Sequence, residues 1–226
     1  MSCTLEVWIH YASAQGQYIL GPELRNALND SEVRRMLGYR TVRDRAQFAA
    51  SRAFLKYVLS QHLGCSPQSV QLDYHASGKP FVRQGIEFNL AHTDNLTCVA
   101  ISGSCPVGVD VERIRDMLRT ERIASRFLTP SEQKYCLAAG NERDRTRILL
   151  QILTRKEALA KATGSGIGGQ WLKLNTLADD HTWIRHSQSE SGESYTTRPL
   201  YLSNDYIGSV CYQGKGPMSL KYRTIR

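Results

Sequence analysis

Between residues 107 and 112 the chain reads Val-Gly-Val-Asp-Val-Glu, a strict alternation of valine with non-aliphatic positions. Only an extended strand gives such a pattern two clean faces, because side chains alternate across a strand and spiral around a helix. Val107, Val109 and Val111 therefore share one face, and Gly108, Asp110 and Glu112 share the other. Two carboxylates two residues apart on one strand face repel each other unless positive charge lies between them. A hard divalent cation supplies it, since magnesium favours carboxylate and phosphate oxygens together. Arg113 and Arg115 offer a plainer alternative, as neutralising partners on an exposed polar face. Gly108 reads as room for a ligand to approach closely.

The segments on either side predict an α+β fold. Leu5–Tyr11 alternates as a strand, two short helical stretches follow around Pro22–Leu28 and Ser31–Leu37, and a long helix runs from about Asp44 to His62. Phe48, Phe54, Leu55, Val58 and Leu59 form its apolar stripe. Val70–His75, Phe88–His92 and Leu96–Ser102 read as strands separated by Ser77-Gly78 and Asp94-Asn95 turn signals. Thr129-Pro130-Ser131-Glu132 opens a helix, and a second long helix spans about Asp144–Thr163 before Gly164. The remainder reads as strands at Trp171–Leu177, Thr182–His186, Tyr195–Leu202, Tyr206–Tyr212 and Ser219–Arg223. This order predicts two α+β halves, 1–108 and 109–226, each a β-meander packed on a long helix and sharing one body without a linker. No literal sequence repeat is visible.

Composition narrows the class. With 41% hydrophobic and 22% charged residues among 226, the chain is balanced for a globular protein. No run approaches the ~20 apolar residues that span a bilayer, and Met1–Glu6 has no secretory start, so a cytoplasmic location without membrane contact is expected. Six scattered cysteines show neither zinc spacing nor a need for disulfides, and Cys98 reads as a small buried hydrophobe. A net charge of +8 favours anionic partners: nucleic acid, phosphorylated ligands or an acidic protein. Aromatics are only 8%, and residues 86–102 hold no Lys or Arg, against a nucleic-acid-binding sheet.

On the second long helix, Glu157 falls four residues after Leu153 and four before Lys161, prolonging the buried side. Glu157 and Lys161 then present a carboxylate and an ammonium at the mouth of a core, or form an ordinary i,i+4 pair. The stretch Gly164–Gly169 reads as a flexible connector, because it follows a helix and lacks the Lys-Ser/Thr of a phosphate loop.

Three ordered blocks resemble the phosphopantetheinyl transferase superfamily in its larger, pseudo-dimeric form. Ser77-Gly78-Lys79-Pro80 with Phe88-Asn89-Leu90-Ala91-His92-Thr93 is similar to GKP…FN[IL]SHS, and Val107–Glu112 to (I/V)G(I/V)D(I/V)E. Lys156-Glu157-Ala158 with Lys161, Ala162 and Gly164 is similar to W-x-x-KEA-x-x-KA-x-G. With their flanking helices these blocks cover roughly residues 40–170. The resemblance implies two pseudo-twofold halves with the site at their interface. It assigns Asp110, Glu112 and Glu157 to magnesium (or manganese), His92 and Lys161 to the phosphates of coenzyme A, Lys79 and Arg45 to its nucleotide, with Arg45 on the 3'-phosphate, and Thr93 to cofactor binding. Two positions depart from the pattern: Leu153 replaces the tryptophan, which bears on packing, and Ala91 replaces the serine before the histidine, which weakens one phosphate contact.

The implied reaction moves the 4'-phosphopantetheine moiety of coenzyme A to a serine of an apo acyl or peptidyl carrier protein, releasing 3',5'-ADP. The carrier is expected to be acidic and the enzyme a monomer. Metal charge, His92 and Lys161 would stabilise the phosphate oxygens, and Glu132, Glu157 or a metal-bound water would take the serine proton. Glu132 has a second reading as N3 of a capping box, with Thr129 at N-cap and Pro130 at N1. Two rival functions stay open on the residues alone: a basic nucleic-acid-binding module, and a phosphodiesterase using the same three acids on water.

Overall fold

The computed structural model describes residues 4–12, 26–115, 120–166, 173–177, 184–187, 192–215 and 218–225. Its chain is mixed α and β, with two four-stranded sheets, a two-stranded ribbon and five helices among the described residues. The first sheet has the order β10-β1-β5-β4, from Thr4–Tyr11 (β1), Glu87–Thr93 (β4), Leu96–Ser102 (β5) and Ser219–Ile225 (β10). The second has the order β6-β9-β8-β7, from Val107–Arg113 (β6), Ile184–Ser187 (β7), Ser194–Pro199 (β8) and Tyr206–Gln213 (β9). All neighbours are antiparallel except β10, which pairs in parallel with β1.

Helix α1 (Asp30–Leu37) precedes the long α2 (Val42–Leu63), whose stripe of Phe54, Leu55, Val58 and Leu59 packs on Trp8, Phe88, Val99 and Ile101 of the first sheet. Three helices follow β6: α3 (Thr120–Phe127), α4 (Pro130–Leu137) and the long α5 (Glu142–Thr163). Val107, Val109 and Val111 are fully or nearly fully buried, in one core with Leu5, Val7, Ala100 and Val210, as the alternation predicts. Cys98 is buried in the same core, where loss of hydration pushes its thiol up to about 12 and leaves it inert.

The two helical pairs use the same local chemistry one hundred positions apart. Asn29 and Thr129 are N-caps, and each forms a capping box with the glutamate three residues later, Glu32 or Glu132. Lys56 reaches Glu32 at 2.8 Å, and Lys156 reaches Glu132 at 2.8 Å, all four groups being buried. Arg45 donates to the Tyr39 carbonyl and Arg145 to the Ala139 carbonyl. Both long helices end on a left-handed glycine, Gly64 or Gly164, a conformation that favours the residue without a β-carbon.

The strand expected over Val70–His75 shrinks to Asp73–Tyr74 (β2), which pairs with Pro80–Phe81 (β3), because the turn at Gly78 closes the ribbon at once. Helix α3 was not expected. The described part of Trp171–Leu177 is not a strand. Its carbonyls at Leu174 and Thr176 turn instead to accept from Lys156 and Arg155. Of the expected helical stretch at Pro22–Leu28, the described residues 26–28 are not helical and the rest lies outside the described residues, as do the connector after Gly166 and the start of the strand at Thr182–His186. The expected division after residue 108 falls inside β6, and β10 belongs to the first sheet.

Candidate active site

The site forms where β4 and β6, an edge strand of each sheet, run alongside each other with α5 over β6. No backbone ladder joins the two edges. Instead the buried side chain of Asn89 on β4 accepts from the Val109 amide at 3.0 Å. Gly108 permits the approach of α5, since a β-carbon there would collide with the Ala158 carbonyl and the Ala162 amide. This corrects the reading of Gly108 as room for a ligand, because helix backbone fills that space.

That close packing brings Lys161 onto β6. Its ammonium lies 2.7 Å from Asp110 Oδ1 and 3.0 Å from the Val109 carbonyl. Lys161 therefore reaches across to the strand rather than closing a pair with Glu157 on its own helix. Lys79 donates to the Lys161 carbonyl at 3.1 Å, so an ammonium from the first half of the chain caps the last turn of α5. Burial pushes the Lys79 ammonium down, with Glu87 opposing.

Three carboxylates lie within reach of the Lys161 charge, and burial raises each of them. Burial raises the Asp110 carboxyl above its ordinary range, and Lys161 only partly offsets the shift. Glu157 is raised by burial and then by Asp110, with a smaller push from Glu112. Glu112, at the open mouth, is raised by lost hydration and by Asp110, while Thr93 Oγ1 donates to it at 3.3 Å. Three acids raised by burial, two of them further by a neighbouring carboxylate, form a site short of positive charge.

His92 flanks the group on β4, its pKa lowered by burial and by the Lys161 charge. Gln47 Nε2 lies 3.1 Å from His92 Nδ1 and also donates to the Asp94 carbonyl, which orients the amide. Nδ1 thus accepts, and the proton of the neutral ring sits on Nε2. The next turn holds Asp94 at φ 42°, and its carboxylate takes Arg43, Arg113 and Arg115 at 2.8, 3.2 and 2.6 Å. Arg113 and Arg115 accordingly pair with Asp94, and Lys161 with Asp110, while Glu112 feels the charges of both Arg115 and Lys161.

Lys79, His92, Thr93, Asp110, Glu112, Glu157 and Lys161 thus come together. Arg45 lies on α2 with its Nε on the Tyr39 carbonyl. Glu132 is elsewhere, fully buried, and both of its oxygens are engaged. Oε1 takes the Thr176 amide and hydroxyl, and Oε2 takes Thr129 and Lys156. Burial alone would raise it, but the Lys156 bond and then the Thr129 and Thr176 amides hold it below the usual glutamate range. The structure shows its capping box. Sequence reasoning passed over Asn89, Gln47 and Asp94. A polar Asn89 between Phe88 and Leu90 within a strand was the one available signal.

Residues 106–211 match the 4'-phosphopantetheinyl transferase superfamily, and residues 23–104 match the N-terminal region of 4'-phosphopantetheinyl transferases. The chain is 29% identical to the 4'-phosphopantetheinyl transferase HetI of Nostoc sp., over 86% of its own length and 82% of that protein. It is 32% identical to slr0495 of Synechocystis sp., which carries a provisional name of the same kind, over 76% of its own length and 71% of that protein. It is also 28% identical to the 4'-phosphopantetheinyl transferase gsp of Aneurinibacillus migulanus, over 68% and 60%. On these matches the chain belongs to the 4'-phosphopantetheinyl transferase superfamily and is an enzyme of that class.

Proposed function

We propose that this enzyme transfers the 4'-phosphopantetheine moiety of coenzyme A to a serine of an apo acyl or peptidyl carrier protein, releasing 3',5'-ADP. The observation that supports the reading is the meeting of Asp110, Glu112 and Glu157 around Lys161, with His92 beside them. Among the described residues, no three His, Cys, Asp or Glu side chains already stand close enough together to hold a metal ion. The donor set nevertheless fits one, because all three are hard oxygen ligands raised by burial, and the Asp110 charge raises Glu112 and Glu157 further. Asp110, Glu112 and Glu157 would hold magnesium or manganese, which when bound supplies positive charge to the pyrophosphate.

The chain's own residues do the rest. Lys161 and Lys79 bring ammonium groups to the phosphate side, and the His92 Nε2–H donates to an oxygen that grows more negative. Glu157 takes the proton from the carrier serine. The serine Oγ then forms a bond to the β-phosphorus, and the bond from that phosphorus to 3',5'-ADP breaks. Glu132 acts in this scheme as a cap and buried ion-pair partner. The shared chemistry of α1–α2 and α4–α5 supports two related halves, 1–108 and 109–226, with the site between them and a monomer as the working unit.

Mass spectrometry of an apo carrier incubated with enzyme, coenzyme A and magnesium tests the proposal. The carrier serine is expected to gain one phosphopantetheine, and EDTA is expected to abolish the gain. Asp110→Asn is expected to slow transfer on the order of 100-fold. Release of 3',5'-ADP in the absence of any carrier would instead favour a phosphodiesterase.

A further inference from the structure

His92 stands at the exposed mouth of the site, where an imidazole is free to turn over and to exchange its proton between its two nitrogens. One side chain removes both freedoms. Gln47, on the second turn of α2, places its Nε2 3.1 Å from His92 Nδ1 and donates to the Asp94 carbonyl at 3.3 Å. An amide nitrogen carries two N–H donors and no acceptor, so the carbonyl takes one and the imidazole takes the other. The carbonyl also settles which end of the amide points at the ring.

Gln47 is itself held by a brace of several elements. Thr41 caps α2 by accepting from the Asp44 amide at 3.0 Å, and Arg43, one helical turn before Gln47, reaches Asp94 Oδ1 at 2.8 Å. Residues 43 and 47 thus grip the same β4–β5 turn, one by its carboxylate and one by its carbonyl. On the far side of that turn the Asn95 carbonyl accepts from the Ala12 amide at 2.7 Å, and Arg113 and Arg115 hold the carboxylate from the β6 side. Asp94 keeps its left-handed φ of 42° within these contacts, a conformation that non-glycine residues sustain where the surroundings over-determine it. The second half of the chain supplies a comparison. Arg147, one hundred positions later on α5, donates to the Asn204 carbonyl in the segment joining β8 to β9, at 3.4 Å. Tying the helix to the hairpin is therefore common to both halves. Among the described residues, the bond to a histidine is what position 47 adds.

Building on the phosphopantetheinyl-transfer reading, we propose that Gln47 is a positioning residue that holds the His92 ring with its Nε2–H aimed at the coenzyme phosphate. Gln47 touches neither coenzyme nor metal in this scheme and acts through the histidine. Without it the ring rotates, and the tautomer with its proton on Nδ1 turns a lone pair toward the phosphate oxygen. Two electron-rich groups then face each other, and the donor is lost where negative charge grows.

Gln47→Met tests this, since methionine keeps the length and helix preference of glutamine but donates no hydrogen bond. Its kcat for transfer is expected to fall about 10-fold, the low end of the cost of losing a partner that orients a functional histidine. The KM values for coenzyme A and carrier are expected to stay within about twofold of wild type. His92→Ala is expected to lose on the order of 100-fold. Adding Gln47→Met to His92→Ala is expected to cost nothing further, because a residue acting through the ring then has nothing to position. A second readout needs neither coenzyme nor carrier. Nitrogen NMR of the metal-free enzyme reads the tautomer at about pH 8, above the ordinary histidine value of 6.5 and further above the lowered value of His92. The signal missing from His92→Ala identifies the ring. Wild type is expected to carry the ring proton on Nε2, Gln47→Met to share it between both nitrogens, and Gln47→Glu to hold it on Nδ1, since a carboxylate accepts where the amide donates. A wild-type kcat in Gln47→Met overturns the proposal. An equal loss in the His92→Ala background does so too, and assigns Gln47 to anchoring the turn. Failure of the wild-type enzyme to modify any carrier sinks the transfer reading and the role of Gln47 within it, whereas an Nε2 proton retained in Gln47→Met sinks only the positioning role.

Discussion

Glutamine at position 132 is expected to destabilise the protein by about 3–5 kcal/mol, the cost of leaving a buried ammonium without its counter-ion. Lys156 is fully buried, and its ammonium meets the Glu132 carboxylate at 2.8 Å and the Leu174 carbonyl at 2.9 Å. Glutamine retains a carbonyl for one of the Thr176 and Thr129 amides, which meet different oxygens of Glu132, and no charge for the lysine. Urea denaturation measures the loss directly. Adding Lys156→Met is expected to recover most of it, because an apolar side chain needs no partner there. The sign with pH follows from the depressed carboxyl: its stabilisation is full above the ordinary value of 4.5 and is lost as pH falls through the lower folded value. The gap between wild type and Glu132→Gln is therefore expected to be widest near neutrality and to narrow in acid. A gap that widened on acidification would refute the buried ion pair as its source.

Alanine at position 108 is expected to be nearly as damaging to stability and more so to transfer. The added β-carbon meets backbone of α5, at the Ala158 carbonyl and the Ala162 amide, so no side chain can rotate aside. Strand and helix must separate, at about 3 kcal/mol or more given the typical range for overpacked cores. Separation draws Lys161 away from Asp110 and the Val109 carbonyl. A displacement near 1 Å in such a constellation costs on the order of 100-fold in rate. Thermal melting and carrier transfer, measured on the same preparation, check the two halves of this expectation. A variant that melts and turns over like wild type would show that α5 is not held where the structure has it.

Much of the secondary structure was legible because it depends on local chemistry. The Val107–Val111 alternation, the stripe of α2 and the Thr129-Pro130-Ser131-Glu132 cap each carry their cause within a few residues. What escaped depends on the opposite side of the molecule. Gly108 looked like an opening because α5, fifty residues later, is invisible in a strand pattern. The likeness in local chemistry between α1–α2 and α4–α5 was expected only as two similar halves, not at these residues, for a related reason. Its shared features are partners and caps, Asn29 for Thr129 or Lys56 for Lys156, spread thinly among unlike residues. Trp171–Leu177 looked extended, but the chain there serves Lys156 and Arg155 with carbonyls, a demand set by buried cations elsewhere. At the site, the acids and Lys161 emerged from ordered motifs, whereas Asn89 stood in one of those motifs without a role being assigned to it. Its hydrogen bond to Val109 needs two sheet edges side by side, which no single segment encodes.

The parallel pairing of β10 with β1 bears on how the protein is made. Strand β1 lies inside the first sheet only once Ser219–Ile225 has arrived beside Thr4–His10. More than two hundred residues separate these partners. At the usual ~5–20 residues per second of translation, one flank of β1 stays bare for on the order of ten seconds or more. During that interval the nascent chain offers its open hydrogen-bonding flank to other chains crowded on the same messenger. A truncation that removes only β10 would make that temporary exposure permanent, so the cost of losing this outer strand falls on soluble yield before it falls on catalysis.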